Sequence, residues 1–246
     1  MNEVLSQIKN RKSMRVFEDK AITDEVKKEI INAAFEAPTA GAMMLYSILD
    51  ITDESLKEKL SVTCDDQPFI AKAPLVLIFL ADYQRWYDTY TVADCSPRTP
   101  GAGDILLAYT DAVIAAQNTV VAAESLGVGS CYIGDILENC EEVRDLLNLP
   151  DYAIPAAMLV YGYPTQSQKV RNKPQRLEPK YLVFENKYKE LTKEEHLEMH
   201  RIRYEKSGYK GKDTIKYLKD SCERKYMADF SFEMSRSAKL YLEKFL

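Results

Sequence analysis

The sequence predicts a mixed domain of helices and short buried strands. Two apolar segments rich in branched residues, 75–81 and 156–161, have the length of strands and the composition of sheet interior. Between and around them lie segments whose apolar residues recur with helical spacing. The chain has 246 residues, 46% of them hydrophobic, enough for a substantial core.

The elements follow in order. Residues 2–10 predict a first helix. A second starts after Thr23, whose hydroxyl can cap it, with Asp24 and Glu25 suiting the positive helix end. Val26, Ile30, Ala33, Ala34 and Ala37 supply its apolar spacing, and Pro38 stops it. A strand is expected at 45–51, a charged helix at 54–61 and a buried strand at 75–81. Residues 83–103, with Trp86, two prolines and two glycines, predict a mobile excursion over the surface. Residues 105–126 predict one long helix, apolar over most of its circumference and therefore buried almost all round, and ended by Gly127. A short helix at 141–147 and a third strand at 156–161, closed by Gly162, complete the body. Beyond about residue 180 Lys, Arg, Glu and Tyr become dense. The division expected is a body of residues 1–184 and a helical arm of residues 185–246 that packs on the body or on a partner.

Composition excludes several classes. The net charge of −5 argues against a generic nucleic-acid binder. Apolar runs reach only about nine residues against the roughly twenty of a membrane helix, and the N-terminus lacks a secretory apolar core. The expectation is a cytoplasmic protein without nucleic-acid or membrane partners. Cys64, Cys95, Cys131, Cys140 and Cys222 are scattered and form no C-x-x-C pair, so free thiols are expected and a structural zinc site is not. The only histidines, His196 and His200, have i, i+4 spacing, but Leu197 stands where H-E-x-x-H needs glutamate. No G-x-S-x-G accompanies them, which disfavours hydrolase chemistry.

Four segments remain as candidates for chemistry. In Arg11-Lys12-Ser13-Met14-Arg15 an extended backbone turns Arg11, Ser13 and Arg15 the same way, a pattern that suits a phosphate, although a solvated basic loop has the same composition. Ala37-Pro38-Thr39-Ala40-Gly41-Ala42 joins a helix to a strand through small residues, which either let a flat ligand approach or simply make a tight connection. The glycines of 127–134 have the wrong spacing for G-x-G-x-x-G and follow a helix, whereas a dinucleotide turn follows a strand. That stretch reads as a glycine-bounded loop, facing a ligand or merely capping the helix. Lys173-Pro174-Gln175-Arg176 follows a linker that carries Lys169 and Arg171, and offers further cations for the same anion.

Taken in order, these segments resemble the FMN-dependent nitroreductase family, in particular its longer flavin reductase and oxygen-insensitive NADPH nitroreductase group. The likeness lies in Arg11-Lys12-Ser13-Met14-Arg15-Val16-Phe17, in Ala37 to Gly41, in Ala116-Gln117-Asn118 through Gly129 to Tyr132-Ile133-Gly134, and in Gly162-Tyr163-Pro164 with Lys173 and Arg176. The resemblance implies an α+β, nitroreductase-like fold: a mainly antiparallel central sheet flanked by helices. It also implies an obligate homodimer, with FMN at the interface and a C-terminal segment, here 181–184, exchanged onto the partner. Cofactor contacts are then expected from Arg11, Lys12, Ser13, Arg15, Thr39, Ala40, Gly41, Gln67, Ile133, Gly134, Lys173 and Arg176. NAD(P)H would be the co-substrate, with Arg203, Lys206, Lys210 and Lys212 of the arm as candidates for its binding. The implied reaction is ping-pong hydride transfer through flavin N5 to nitroaromatics, quinones or free flavin, with no catalytic side chain and no metal. The alternatives are reductive dehalogenation or dehydrogenation on the same fold, or a non-catalytic flavin-binding protein. Ala42 and Met44 stand where the family often has Asn and Gln, so the acceptor pocket is expected to be more apolar.

Overall fold

The computed structural model describes residues 2–211 and 213–246. By compactness the chain forms two units, Met1–Arg171 with Phe232–Leu246, and Asn172–Ser231. The division therefore falls at residue 171 and again at residue 231, not at 184.

In the larger unit four antiparallel strands form one sheet in the order β1-β2-β4-β3. They are β1 (Tyr46–Asp50), β2 (Leu75–Asp82), β3 (Gly129–Ile133) and β4 (Ala153–Gly162). β2 and β4 are central and buried along their whole length. Side chains alternate across a sheet, so β2 feeds two cores. Leu75, Leu77, Phe79 and Ala81 pack with α2 (Asp24–Phe35) and α5 (Ala102–Ser125), while Val76, Ile78 and Leu80 pack on the other side with α3 (Glu54–Thr63) and α6 (Cys140–Leu147). Burial on both faces explains why residues 75–81 read as a continuous apolar run.

The expected helices form close to their predicted bounds: α1 is Glu3–Asn10, and Thr23 Oγ1 caps α2 by accepting from the Val26 amide at 3.4 Å. Three expectations need correction. Residues 83–103 are not a mobile excursion, because they begin with a helix, α4 (Gln84–Val92). Trp86 Nε1 donates to the Met43 carbonyl at 2.7 Å, and the Arg85 guanidinium donates to the carbonyls of Met44 and Tyr46. Residues 129–133 are not a loop but the edge strand β3. With glycine, serine and cysteine among five residues, its extended form comes from pairing with β4 rather than from its own preference. α5, finally, is buried on one face only: Ile105, Ala108, Ala112, Ala115, Thr119 and Ala123 are covered, whereas Leu106 and Leu107 are 68% and 47% exposed. α5 is long and apolar enough to cross a membrane by length and composition. Its buried stripe lies against the sheet core.

α10 (Asp229–Leu242) contributes its later residues to the larger unit. There Glu233 Oε1 accepts the Asn139 amide at 3.0 Å and Ser237 Oγ accepts the Cys140 amide at 2.9 Å, capping the start of α6 from outside its own sequence. Arg236 grips Glu141 with two bonds of 2.8 Å.

The smaller unit contains α8 (Lys193–Lys206) and α9 (Thr214–Ser221). α8 begins with a capping box between Thr192 and Glu195, and the Tyr204 and Tyr217 rings pack at a tilt of 49° with centres 3.9 Å apart. Residues 181–184 form no strand in the single chain; Tyr181 closes a 3-10 turn, Pro179–Tyr181. A strand needs a ladder partner, and residues 181–184 are paired with none here.

Candidate functional site

Residues 11–18 leave α1 in extended form and run along the ends of β3 and β4. The Met14 amide donates to the Ser130 carbonyl at 2.9 Å, Phe17 bridges to Pro164, and the Glu18 amide donates to the Tyr163 carbonyl at 2.7 Å. Glycine is required where this segment crosses the sheet. A Cβ on Gly162 would lie 2.5 Å from Phe17 Cγ, and one on Gly129 would lie 2.6 Å from Met14 Cγ.

This path gathers cations. The Lys12 ammonium donates to the Lys169 carbonyl at 2.7 Å and to the Arg171 carbonyl, and the Arg171 guanidinium donates back to the Ser13 carbonyl. Arg15 lies with its guanidinium carbon 5.9 Å from the Phe69 ring centre. Arg11 lines a cleft between α1 and α5 with Gln117 and Glu124. Arg11, Lys12, Arg15, Lys169 and Arg171 thus share two joined segments, whose carboxylate is Glu18, paired with Lys169 at 3.1 Å. Such an excess suits an anion.

A second group completes the site. Gln67, on the turn after α3, donates its Nε2 to the Cys64 carbonyl at 2.8 Å and to Asp135 Oδ2 at 2.6 Å. Asp135 directly follows Ile133 and Gly134 at the end of β3. The expected residues Arg11, Lys12, Ser13, Arg15, Gln67, Ile133 and Gly134 therefore converge on one edge of the sheet. Burial disfavours the thiolate of the cysteines nearby: it raises Cys131, against the pull of Arg15, and pushes Cys64 up to about 12.

Thr39, Ala40 and Gly41 lie elsewhere. Their turn leads into β1, the opposite edge, three strand spacings or about 14 Å from β3. One chain does not bring the two groups together. The turn is nonetheless tightly built, with Gly41, Ala42 and Met44 all in the left-handed region at φ 56°, 57° and 50°. Asp111, 3% exposed on α5, holds it: its carboxylate accepts the Thr39 hydroxyl, the Ala40 amide at 3.1 Å and the Leu45 amide at 3.2 Å. Sequence reasoning missed Asp111, because a lone carboxylate in an apolar helix carries no motif. Arg171, which the sequence places on the linker before Lys173, meets the 11–15 segment directly through the Ser13 carbonyl.

Lys173 and Arg176 belong to the smaller unit, as do Arg203 and Lys206 on α8 and Lys210 beyond it; Lys206 pairs with Glu178 at 2.7 Å. Lys212 lies outside the described residues.

Glu138, 3% exposed just beyond Asp135, has an Oε1 with no hydrogen-bond partner among the described residues. Burial, then the charges of Asp135 and Asp65, a hydrogen bond with the Asp135 carboxylate and the charge of Glu233 raise its carboxyl to about 8. An unfolded glutamate loses its proton near 4.3 while the folded one keeps it. The stability it contributes is thus complete in acid and declines as pH rises toward 8. Glu138→Gln is expected to remove this decline, raising stability at pH 8 by on the order of 2 kcal/mol while leaving pH 4 almost unchanged. Thermal melts of both proteins from pH 4 to 9 check it; parallel curves would refute it.

The donor set suits a flavin-like ligand: cations and a hydroxyl for a phosphate ester at one end, an amide side chain and edge-strand amides for a flat polar ring at the other. The comparisons agree. The model of the nitroreductase family matches residues 8–163. An NADPH-dependent oxidoreductase of Staphylococcus aureus (strain bovine RF122 / ET3-1) is 31% identical over 187 residues, 75% of this chain and 74% of the relative. Among solved structures, NfrA2 of B. megaterium superposes with TM-score 0.81 at 29% identity, covering 97% of this chain and 98% of that one. The NADPH:FMN oxidoreductase of Vibrio harveyi, solved with NAD+, gives 0.76 at 26% identity, covering 96% and 98%. A family model matching well over half the chain, joined to a relative 31% identical over three quarters of it, makes this chain a member of the nitroreductase family.

Proposed function

We propose that this chain is an FMN-dependent oxidoreductase that takes reducing equivalents from NAD(P)H and passes them to nitroaromatics, quinones or free flavin. The observation that carries this reading is the convergence of the cation-rich segment 11–15 with Gln67 and the Ile133-Gly134 end of β3 on one sheet edge. The relatives named NADPH-dependent oxidoreductase and NADPH:FMN oxidoreductase support it. FMN held by Arg11, Ser13, Arg15 and Gln67 would supply the hydride-transfer chemistry that links a nicotinamide to an acceptor using the same place in turn, a ping-pong scheme.

The protein's part is binding and field. Arg11, Ser13 and Arg15 hold the phosphate and ribityl chain, with Lys12 fastening the neighbouring 169–171 segment. Gln67 meets the polar ring edge, and backbone amides at Ile133 and Gly134 stabilise charge on that edge. Arg203, Lys206, Lys210 and Lys212 are the candidates for the nicotinamide nucleotide. No side chain acts as general acid or base.

The function requires two copies. Thr39, Ala40 and Gly41 stand on the sheet edge opposite Arg15, so a ring touching both groups takes the turn from a second chain. The exposed Leu106 and Leu107 on α5, with Val4, Leu5 and Ile8 on α1, offer the apolar surface for such a homodimer. The exposed Leu182 and Val183 suit exchange of segment 181–184 onto the partner. The first experiment is the visible spectrum of the purified protein with its chromophore identified, followed by turnover with NADPH and a nitroaromatic or a quinone. A yellow, dimeric protein that releases FMN and turns over supports the reading. A colourless protein that takes up no added FMN overturns it.

A further inference from the structure

We infer that Asp135 is a positioning residue that locks the Gln67 amide with its carbonyl oxygen toward the site, so that the site selects a ring carrying an N–H donor on its polar edge. The inference rests on the flavin reading above and specifies the recognition within it. Two bonds carry it. Gln67 Nε2 donates at 2.6 Å to Asp135 Oδ2 and at 2.8 Å to the backbone carbonyl of Cys64. The amide nitrogen and oxygen of glutamine are chemically opposite, since one only donates and the other only accepts. A carbonyl and a carboxylate oxygen both accept, so they admit the nitrogen and reject the oxygen. The orientation is therefore set by the partners. Both amide hydrogens are spent on the protein, and the oxygen Oε1 is left to meet a ligand as an acceptor.

An acceptor at that place discriminates. The pyrimidine edge of isoalloxazine presents the N3–H donor between two carbonyl oxygens. Gln67 Oε1 can take that hydrogen, whereas either carbonyl would meet it lone pair to lone pair. Glu138, buried behind Asp135, keeps its own proton because burial raises its carboxyl, so it adds no second negative charge beside the pair at neutral pH. The Asp135 bond is charge-assisted, and it holds the amide more firmly than a neutral acceptor would.

The probe is 3-methyl-FMN, in which the N3 hydrogen is replaced by a methyl group. Its dissociation constant and that of FMN are measured by flavin fluorescence on the full-length protein, on Asp135→Leu, on Asp135→Asn, on Gln67→Leu and on the Asp135→Leu/Gln67→Leu double variant. The unaltered protein is expected to prefer FMN by about tenfold or more, the worth of one good hydrogen bond. Asp135→Leu should reduce that preference to about twofold, since a loosened amide turns either end outward. Asp135→Asn should keep most of it, because its side-chain carbonyl still accepts from Gln67. The double variant should lose no more preference than Gln67→Leu alone, because the two residues act through one contact. A preference unchanged in Asp135→Leu, or lost equally in Asp135→Asn, overturns the inference while leaving the flavin reading standing. Failure of the unaltered protein to bind FMN at all overturns the flavin reading, and the inference with it.

Discussion

Replacing Arg15 by alanine is expected to weaken FMN binding about one hundredfold while leaving the melting temperature of the apoprotein within about 2 °C of the original. The asymmetry follows from where the side chain sits. Arg15 is exposed, and its guanidinium lies near the Cys131 thiol and over the face of Phe69 at 5.9 Å. A partly hydrated contact of this kind contributes on the order of 0.5 kcal/mol to folding. Its backbone amide donates to Gln168 Oε1 at 3.3 Å, a bond that does not involve the side chain and so persists in the variant. Against a phosphate the same guanidinium makes charge-assisted, two-pronged bonds, and about 2.7 kcal/mol corresponds to the hundredfold loss. Arg15→Lys should recover part of the affinity, because it keeps the charge but not the fork. Titration calorimetry at two salt concentrations checks both claims. Unchanged affinity in Arg15→Ala would remove this residue from the phosphate site.

Asp111→Ala is expected to act in the opposite way, lowering the melting temperature by about 10 °C or more before any ligand is considered. Its carboxylate is buried and accepts the Thr39 hydroxyl and the Ala40 and Leu45 amides. Alanine leaves those donors buried without partners, at about 1–3 kcal/mol each before relaxation. It also releases a turn in which Ala42 and Met44 hold left-handed conformations, each costing of order 1 kcal/mol or more. A net loss of about 3–5 kcal/mol is reasonable, and a chain of this size loses about 2–4 °C per kcal/mol. Asp111→Asn, which still offers one acceptor oxygen, should lose about half as much. Calorimetric melts of the three proteins decide it. A melting point in Asp111→Ala within about 2 °C of the original would show that the turn holds itself.

The two variants separate what the chain encodes locally from what folding assembles. Most elements were legible because their signals lie within a few residues of one another. Thr23 before a run of helical spacing marked the start of α2, and the branched apolar run at 75–81 marked β2. The basic segment at 11–15 was legible for the same reason. β3 was not, because a strand containing Gly129, Ser130 and Cys131 is made by its neighbour β4 rather than by its composition. α4 was hidden by the prolines and glycines that follow it, and its anchors, the Met43 and Met44 carbonyls, lie some forty residues earlier.

Side-chain type at short spacing was enough to read the start of α2, the two central strands, the family and the order of the cations along the chain. Tertiary structure decided the rest. It set Asp111 beneath the 39–45 turn, Gln67 against Asp135, and Glu233 and Ser237 over the start of α6. It also put Thr39 and Arg15 on opposite edges of one sheet, which makes a second chain necessary to the proposed site. The physical reason is common to all of these. A hydrogen bond between residues seventy positions apart leaves no periodicity in the chain, and only the packing of the elements decides which buried donor meets which acceptor.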